Sequence, residues 1–91
     1  GGLVVNLDGH TVTADGKRIQ LTLKEFELLR LFLSHPGIVF TRDQLLNDVW
    51  GADYVSETRT VDMHIRTLRV KLGNYGKIIE TVRGVGYRLE V

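Results

Sequence analysis

One predicted helix, over residues 56–73, carries an unusual set of polar side chains on its outward face. At about 100° per residue, four apolar residues form a continuous stripe on its other face: Val61, Ile65, Leu68 and Leu72. The outward face and its flank hold Arg59, Thr60, Met63, His64, Arg66, Thr67, Val70 and Lys71. A solvated face usually mixes Glu with Lys, whereas Arg and Thr suit phosphates and base edges, and apolar groups suit thymine methyls. The pattern therefore predicts a helix that enters a DNA groove.

A further basic residue stands in a predicted turn near the C-terminus. Arg83 opens the segment Arg83-Gly84-Val85-Gly86, in which two glycines let the backbone bend tightly. An arginine at such a tip can enter a narrow minor groove, where the electrostatic potential is most negative. The alternative interpretation is an ordinary surface hairpin with an exposed arginine.

The sequence has no arrangement typical of catalysis or metal binding. It lacks cysteine, and its three histidines have no ligand spacing: His10, His35 and His64. Neither Ser34 nor Ser56 stands in a nucleophile-elbow pattern. Gly84-x-Gly86 lacks the third glycine and the following helix of a dinucleotide site. We therefore expect no enzyme activity, no cofactor and no metal site.

Charge is distributed unevenly along the chain. The formal net charge is only +1, but residues 1–56 hold five Lys and Arg against seven Asp and Glu, and residues 57–91 hold seven against four. Basic residues are therefore concentrated in the C-terminal part, as a nucleic-acid-binding surface requires. The alternative is that a small domain has this uneven distribution of charge by chance. At 91 residues we expect one domain, spanning residues 1–91. No apolar run approaches the roughly 20 residues of a membrane helix, so we expect no membrane contact.

The elements that position these residues begin with three short runs rich in Val, Thr, Ile and Leu, at residues 3–7, 10–14 and 17–21. Asp8-Gly9 and Asp15-Gly16 separate the runs and are strong hairpin signals. We predict an N-terminal antiparallel sheet of about four strands, counting a further short strand from residues 21–23.

Three helices are expected next. Thr22 and Glu25 have the spacing of a capping box, and the first helix runs from there to about His35. Thr41 caps a second helix over residues 42–50, after a short apolar link at residues 38–40. Three residues can cap the third helix, and the sequence does not choose among them: Ser56, Glu57 and Thr58.

Two strands, at residues 78–82 and 87–91, flank the turn that begins at Arg83. Strands, three helices and a hairpin in this order are the outline of an α+β winged helix-turn-helix. A winged helix that contacts proteins is the second hypothesis, because fold does not fix function. Such a module would show larger apolar anchors or acidic residues on its third helix, so the Arg, Thr, Lys and His found there favour DNA.

Four segments then carry a resemblance to a known family: LTLKEFELLRLFL, VFTRDQLLNDVWG, TRTVDMHIRTLRVKLG and ETVRGVGYRLE. In this order and spacing they resemble the DNA-binding effector domain of OmpR/PhoB-family response regulators. The resemblance implies a four-stranded N-terminal sheet, three helices and a C-terminal wing. It also implies a cytoplasmic transcription regulator of a two-component system, whose phosphorylatable receiver domain is absent from these residues.

The resemblance assigns roles to particular residues. It makes residues 58–72 the major-groove recognition helix, and Arg83 the wing residue in the minor groove. Backbone or groove-edge contacts are implied for Thr60, His64, Arg66 and Arg69, and phosphate contacts for Thr81 and Tyr87. Thr67 stands where some members carry a base-reading Arg, which a Thr cannot replace in a bidentate contact with guanine. Trp50 matches a position near the DNA backbone and is equally a candidate core residue.

The resemblance also implies partners. Intact members often dimerise on tandem direct-repeat half-sites in double-stranded DNA, and a cognate sensor kinase acts through the receiver domain. A loop that meets RNA polymerase in some members corresponds to Gly51, Ala52, Asp53, Tyr54, Val55, Ser56 and Glu57. We expect the isolated domain to be monomeric when it is not bound to DNA.

Overall fold

The N-terminal segment folds into an antiparallel sheet of three strands. The computed structural model of the chain describes residues 2–51 and 57–90. Its first strands are β1 (Leu3–Asn6), β2 (Thr11–Ala14) and β3 (Lys17–Ile19), paired in sequence order. Val12 lies opposite both Val5 and Ile19, so these three apolar side chains share one face of the sheet. That face packs against the core.

The prediction of about four N-terminal strands is wrong by one strand. Residues 21–23 do not extend the sheet, because Thr22 is the N-cap of α1 (Leu23–Ser34). Its hydroxyl accepts a hydrogen bond from the Glu25 backbone N–H at 3.3 Å, and the Glu25 carboxylate accepts one from the Thr22 N–H at 2.8 Å. This reciprocal capping box fixes the chain as a helix start, as the spacing of the two residues predicted.

The second predicted helix is present but changes geometry along its length. It begins as α2 (Arg42–Leu45), capped by Thr41, and continues as one π-helical turn, Leu46–Trp50. Gly51, with a φ of 107°, ends it. The recognition-helix candidate is α3 (Arg59–Leu72), with Thr58 as its N-cap, and a 3₁₀ turn, Gly73–Ile78, follows it.

A second three-stranded sheet contains the hairpin and a strand that the sequence did not predict. Its strands are β4 (Phe40–Thr41), β5 (Ile79–Val82) and β6 (Gly86–Leu89), in the order β4-β6-β5. We expected residues 38–40 to be only a link. Instead Phe40 pairs with Tyr87, and Thr41 with Gly86. A Cβ at residue 86 would clash with the Phe40 carbonyl oxygen, so glycine allows this close pairing.

The helices and both sheets share one hydrophobic core. Its most deeply buried members include Val12 of β2, Leu29 and Phe32 of α1, Leu45 of α2, Ile65 and Leu68 of α3 and Ile79 of β5. The α+β winged helix-turn-helix expected from the sequence is therefore confirmed, with α3 and the β5–β6 hairpin anchored on the same core.

Candidate nucleic-acid interface

Helix α3 has the two faces that its sequence predicted. The stripe Val61, Ile65, Leu68 and Leu72 is at most 1% exposed. On the opposite side, Met63 is 62% exposed and Val70 is 74% exposed. The outward face therefore presents apolar surface on both sides of Arg66, which is also exposed.

Two arginines are exposed with their charge uncompensated. Arg66 lies on the outward side of α3, and Arg83 lies in the turn between β5 and β6. In residues 2–51 and 57–90, neither guanidinium makes a hydrogen bond or an ion pair. Arg59 is paired with Glu57 at 3.3 Å, but both side chains are 79% exposed, and such pairs hold their partners weakly. These cations are therefore available to an anionic ligand.

The turn of the hairpin presents Arg83 at its tip. Val82 and Gly86 are the last paired residues, and the Val85 N–H donates to the Val82 carbonyl at 2.9 Å. Gly84 has a φ of 77°, a conformation in which a side chain would be strained. The turn is thus tight, and the sequence signal that pointed to it was its pair of glycines.

Two other members of the predicted DNA-contact set are held by a buried carboxylate. Lys71 Nζ donates to Glu25 Oε1 at 2.7 Å, and Thr67 Oγ1 donates to Glu25 Oε2 at 2.5 Å. The Glu25 side chain is only 2% exposed, and the Lys71 side chain is 36% exposed. The sequence indicates only a capping role for Glu25, because its side-chain partners lie on a helix more than forty residues away.

These contacts keep Glu25 ionised. Burial alone would raise the pKa of its carboxyl group, but hydrogen bonds from Lys71, Thr67 and Thr22 outweigh burial and lower the pKa from 4.5 to about 2. At neutral pH the site is therefore a carboxylate, bonded at one oxygen to an ammonium and a backbone N–H and at the other to a hydroxyl.

Arg69 fastens α3 to the hairpin. Its Nε and Nη2 donate to the Ile79 carbonyl oxygen at 3.0 and 2.7 Å, and Nη2 also donates to Thr81 Oγ1 at 2.7 Å. Its guanidinium lies 5.4 Å from the centroid of the Tyr87 ring. Arg69 thus positions the hairpin relative to α3, and because its acceptors, the Ile79 carbonyl and the Thr81 hydroxyl, are uncharged, its positive charge is retained.

Tyr87 is oriented inward, toward Asp62 of α3. It is 5% exposed, and its hydroxyl donates to Asp62 Oδ1 at 2.5 Å. Burial and this hydrogen bond raise the pKa of Tyr87 above its ordinary value. Arg42 Nε donates to the same Oδ1 at 2.7 Å, which raises the pKa of Arg42, and its guanidinium lies 5.2 Å from the Tyr87 ring. The phosphate contact expected of Tyr87 stays a prediction. That contact would need the hydroxyl proton that Tyr87 donates to Asp62 in this structure.

Trp50 and His64 lie together beside α3. Their ring centroids are 4.9 Å apart in an edge-to-face arrangement, and the His64 Nδ1–H faces the Thr60 carbonyl at 2.8 Å. Trp50 is partly buried and packs against the core, and Lys24 lies 5.9 Å from its ring centroid. Trp50 therefore has the packing role that the sequence allowed, while its role near a DNA backbone stays a prediction.

The predicted polymerase-contact loop lies mostly outside the described residues. Only its ends are described: Gly51 ends the second helix, and Glu57 pairs with Arg59. Within residues 2–51 and 57–90, no group of three or more His, Asp or Glu side chains is placed to hold a metal ion. In the same part of the chain, no helix has the length and apolar character that crossing a membrane requires.

Comparison with known proteins decides the family. The profile of the family described as "Transcriptional regulatory protein, C terminal" matches residues 16–89. The chain belongs to this family, and it is of the OmpR/PhoB type. It is 47% identical over 89 residues to the phosphate regulon transcriptional regulatory protein PhoB of Pseudomonas aeruginosa, covering 97% of this chain and 39% of that protein.

Solved structures of family members match the fold. The response regulator DrrB of Thermotoga maritima, an OmpR/PhoB homologue, is 35% identical with a TM-score of 0.90, over 100% of this chain and 42% of that one. The DNA-binding domain of Klebsiella pneumoniae RstA, solved in complex with the RstA box, is 31% identical with a TM-score of 0.84, over 99% and 92% of the two chains. The chain spans about two fifths of the length of PhoB and DrrB.

Proposed function

We propose that this chain is the DNA-binding effector domain of a two-component response regulator, and that it binds double-stranded DNA sequence-specifically to regulate transcription. The observation that carries the proposal is that two elements packed on the same core each expose a free arginine: Arg66 on the outward face of α3 and Arg83 at the hairpin tip. The crystallised complex of the RstA domain with its box supports it, because that domain shares this fold and covers almost the whole chain.

In this proposal α3 enters the major groove and the hairpin is the wing. Met63 and Val70 are placed to contact thymine methyls, and Arg66 to contact phosphates or base edges. Arg83 enters the adjacent minor groove, where a narrow A·T-rich segment concentrates negative potential. Arg59, Thr60 and His64 border the same face and contribute to the backbone contacts.

The wider partners are proposals that follow from family membership. The domain acts by binding and not by catalysis, in the cytoplasm, on tandem direct-repeat half-sites. A receiver domain elsewhere in the intact protein takes the signal from a sensor kinase, and residues 51–57 contact RNA polymerase. We propose that the isolated domain is monomeric when it is free of DNA.

The proposal is tested by selecting duplexes from a random library and then measuring their affinity at several salt concentrations. We expect enrichment of two direct repeats and a steep loss of affinity as salt rises, because each neutralised phosphate releases counterions. Affinity that does not depend on salt, or the enrichment of no sequence, would contradict the proposal. Such a result would favour a winged helix that binds proteins.

A further inference from the structure

Glu25 reaches from the first turn of α1 to two residues of α3 that the sequence assigned to DNA contact. We infer that Glu25 is a positioning residue that withholds Lys71 and Thr67 from DNA, so that Met63, Arg66 and Val70 read the duplex. The inference rests on the proposed DNA-binding function and narrows it to particular side chains of α3.

The first reason is electrostatic. Lys71 Nζ lies 2.7 Å from Glu25 Oε1, and the carboxylate is nearly inaccessible to water, with 2% of its side chain exposed. If Lys71 moved to a phosphate, it would leave a buried negative charge without its counter-ion, which is costly. The pair is neutral as it stands, so Lys71 adds almost no net positive charge to the DNA-facing surface.

Arg69 and Arg66, two further cations of α3, differ from Lys71 in that neither is paired with a carboxylate within the described residues. Arg69 is bonded to the Ile79 carbonyl and the Thr81 hydroxyl, both uncharged, so its positive charge still attracts phosphates. Arg66 has no such partner within residues 2–51 and 57–90. Within the part of the chain that the structure describes, Lys71 alone of these three cations is neutralised by a buried carboxylate.

The second reason is the hydrogen-bond capacity of Thr67. A threonine hydroxyl has one proton, and that of Thr67 is directed to Glu25 Oε2 at 2.5 Å, with the His64 carbonyl oxygen 3.1 Å away. While this bond is intact, Thr67 cannot donate to a phosphate or to an acceptor on a base edge. Among the outward side chains of α3, Met63, Arg66 and Val70 have no such commitment within residues 2–51 and 57–90, and Arg59 has only its exposed pair with Glu57.

Salt-dependent affinity tests the inference with a selected duplex. We expect the double variant E25Q/K71M to leave the slope of log affinity against log salt concentration unchanged, because the neutral pair that it replaces neutralises no phosphate. Glu25→Gln alone should release Lys71 and steepen the slope by about 0.9, the value for one added phosphate contact. Arg66→Met is the positive control, expected to make the slope shallower by about 0.9, and Lys17→Met on β3 is the negative control.

A slope that becomes shallower in E25Q/K71M would overturn the inference and leave the proposed function standing. Absence of salt-dependent binding by the wild-type chain would instead remove the proposed function and the inference together. Circular dichroism identifies any variant that fails to fold. In that case the ammonium resonance of Lys71 in the wild-type chain gives the answer by NMR: it should stay unchanged when duplex is added, and a shift to a phosphate-bonded environment would overturn the inference.

Thr67 is tested by duplex selection. Thr67→Val keeps the shape of the side chain and removes the hydroxyl, and we expect it to select the same sequences as the wild type. Val70→Ala should select a changed set. A changed set for Thr67→Val would show that its hydroxyl reads DNA and would contradict the inference.

Discussion

At the scale of single residues, Glu25 links stability to pH. Its pKa is lowered in the folded chain from 4.5 to about 2. The ionised carboxylate therefore contributes its full share to the unfolding free energy above about pH 4.5, and this contribution is lost as pH falls toward 2. For a pKa shift of this size, the contribution is of the order of 3 kcal/mol at pH 7. We expect the difference in unfolding free energy between wild type and Glu25→Gln to shrink over that interval.

Urea denaturation at pH 7, 4 and 3 measures this difference. Glu27→Gln is the matched control on the same helix, because Glu27 is about one-third exposed and lies 3.7 Å from Lys24. A difference for Glu25→Gln that stayed constant from pH 7 to pH 3 would show that the carboxylate is not held ionised by its neighbours.

Arg83 is a second residue whose role can be isolated. We expect Arg83→Ala to weaken duplex binding by about 1–3 kcal/mol, and most strongly when the site has A·T-rich flanks, because a narrow minor groove attracts the guanidinium more strongly than a wide one. Fluorescence anisotropy with A·T- and G·C-flanked duplexes measures the difference. Arg88→Ala, on the same hairpin but paired with Glu80 at 2.7 Å, is the control. An equal loss on both flanks would rule out minor-groove reading.

At the scale of elements, the buried face of α3 contributes to stability, and its exposed face is the one proposed to contact DNA. Ile65 is 1% exposed in the core, so Ile65→Ala should lower the unfolding free energy by about 2–5 kcal/mol. Met63→Ala, two residues away but exposed, should change it by less than about 0.5 kcal/mol and should alter duplex preference. Chemical denaturation and duplex selection measure the two effects, and the reverse pattern would mean that the faces are misassigned.

The link between α3 and the wing gives a further prediction. Because Tyr87 donates its hydroxyl proton to Asp62, Tyr87→Phe should destabilise the fold by about 1–2 kcal/mol. A phosphate contact by Tyr87, as the family resemblance implied, would instead lower duplex affinity and leave stability unchanged. Urea denaturation and duplex titration of the same variant distinguish the two roles, and unchanged stability would contradict the role drawn from the structure.

At the scale of the whole molecule, β4 joins the wing to the segment between α1 and α2. The junction depends on residue 86, where any side chain would meet the Phe40 carbonyl. We expect Gly86→Ala to cost about 1–3 kcal/mol through overpacking. Gly9→Ala, in an open turn where the added Cβ meets Asn6 at 3.4 Å, should cost less, and equal thermal stability of the two variants would contradict the role of β4.

Local periodicity and capping chemistry were enough to predict most of the fold. The stripe from Val61 to Leu72 repeats along one helix, and the Thr22–Glu25 and Thr41 caps involve residues only three apart. These signals depend on neighbours along the chain. The strand β4 was missed because two residues show no period, and its existence depends on β6, more than forty residues later.

The sequence by itself therefore determined most elements of this chain, the two faces of α3 and the arginine at the wing tip. Only the tertiary structure decided which polar residues remain free to bind. Glu25 accepts hydrogen bonds from Lys71 and Thr67, and Asp62 accepts one from Tyr87. Arg69 donates to the Ile79 carbonyl of the wing. The physical reason is that hydrogen bonds and ion pairs between distant segments depend on how the helices pack, whereas helix faces depend only on the local 3.6-residue repeat.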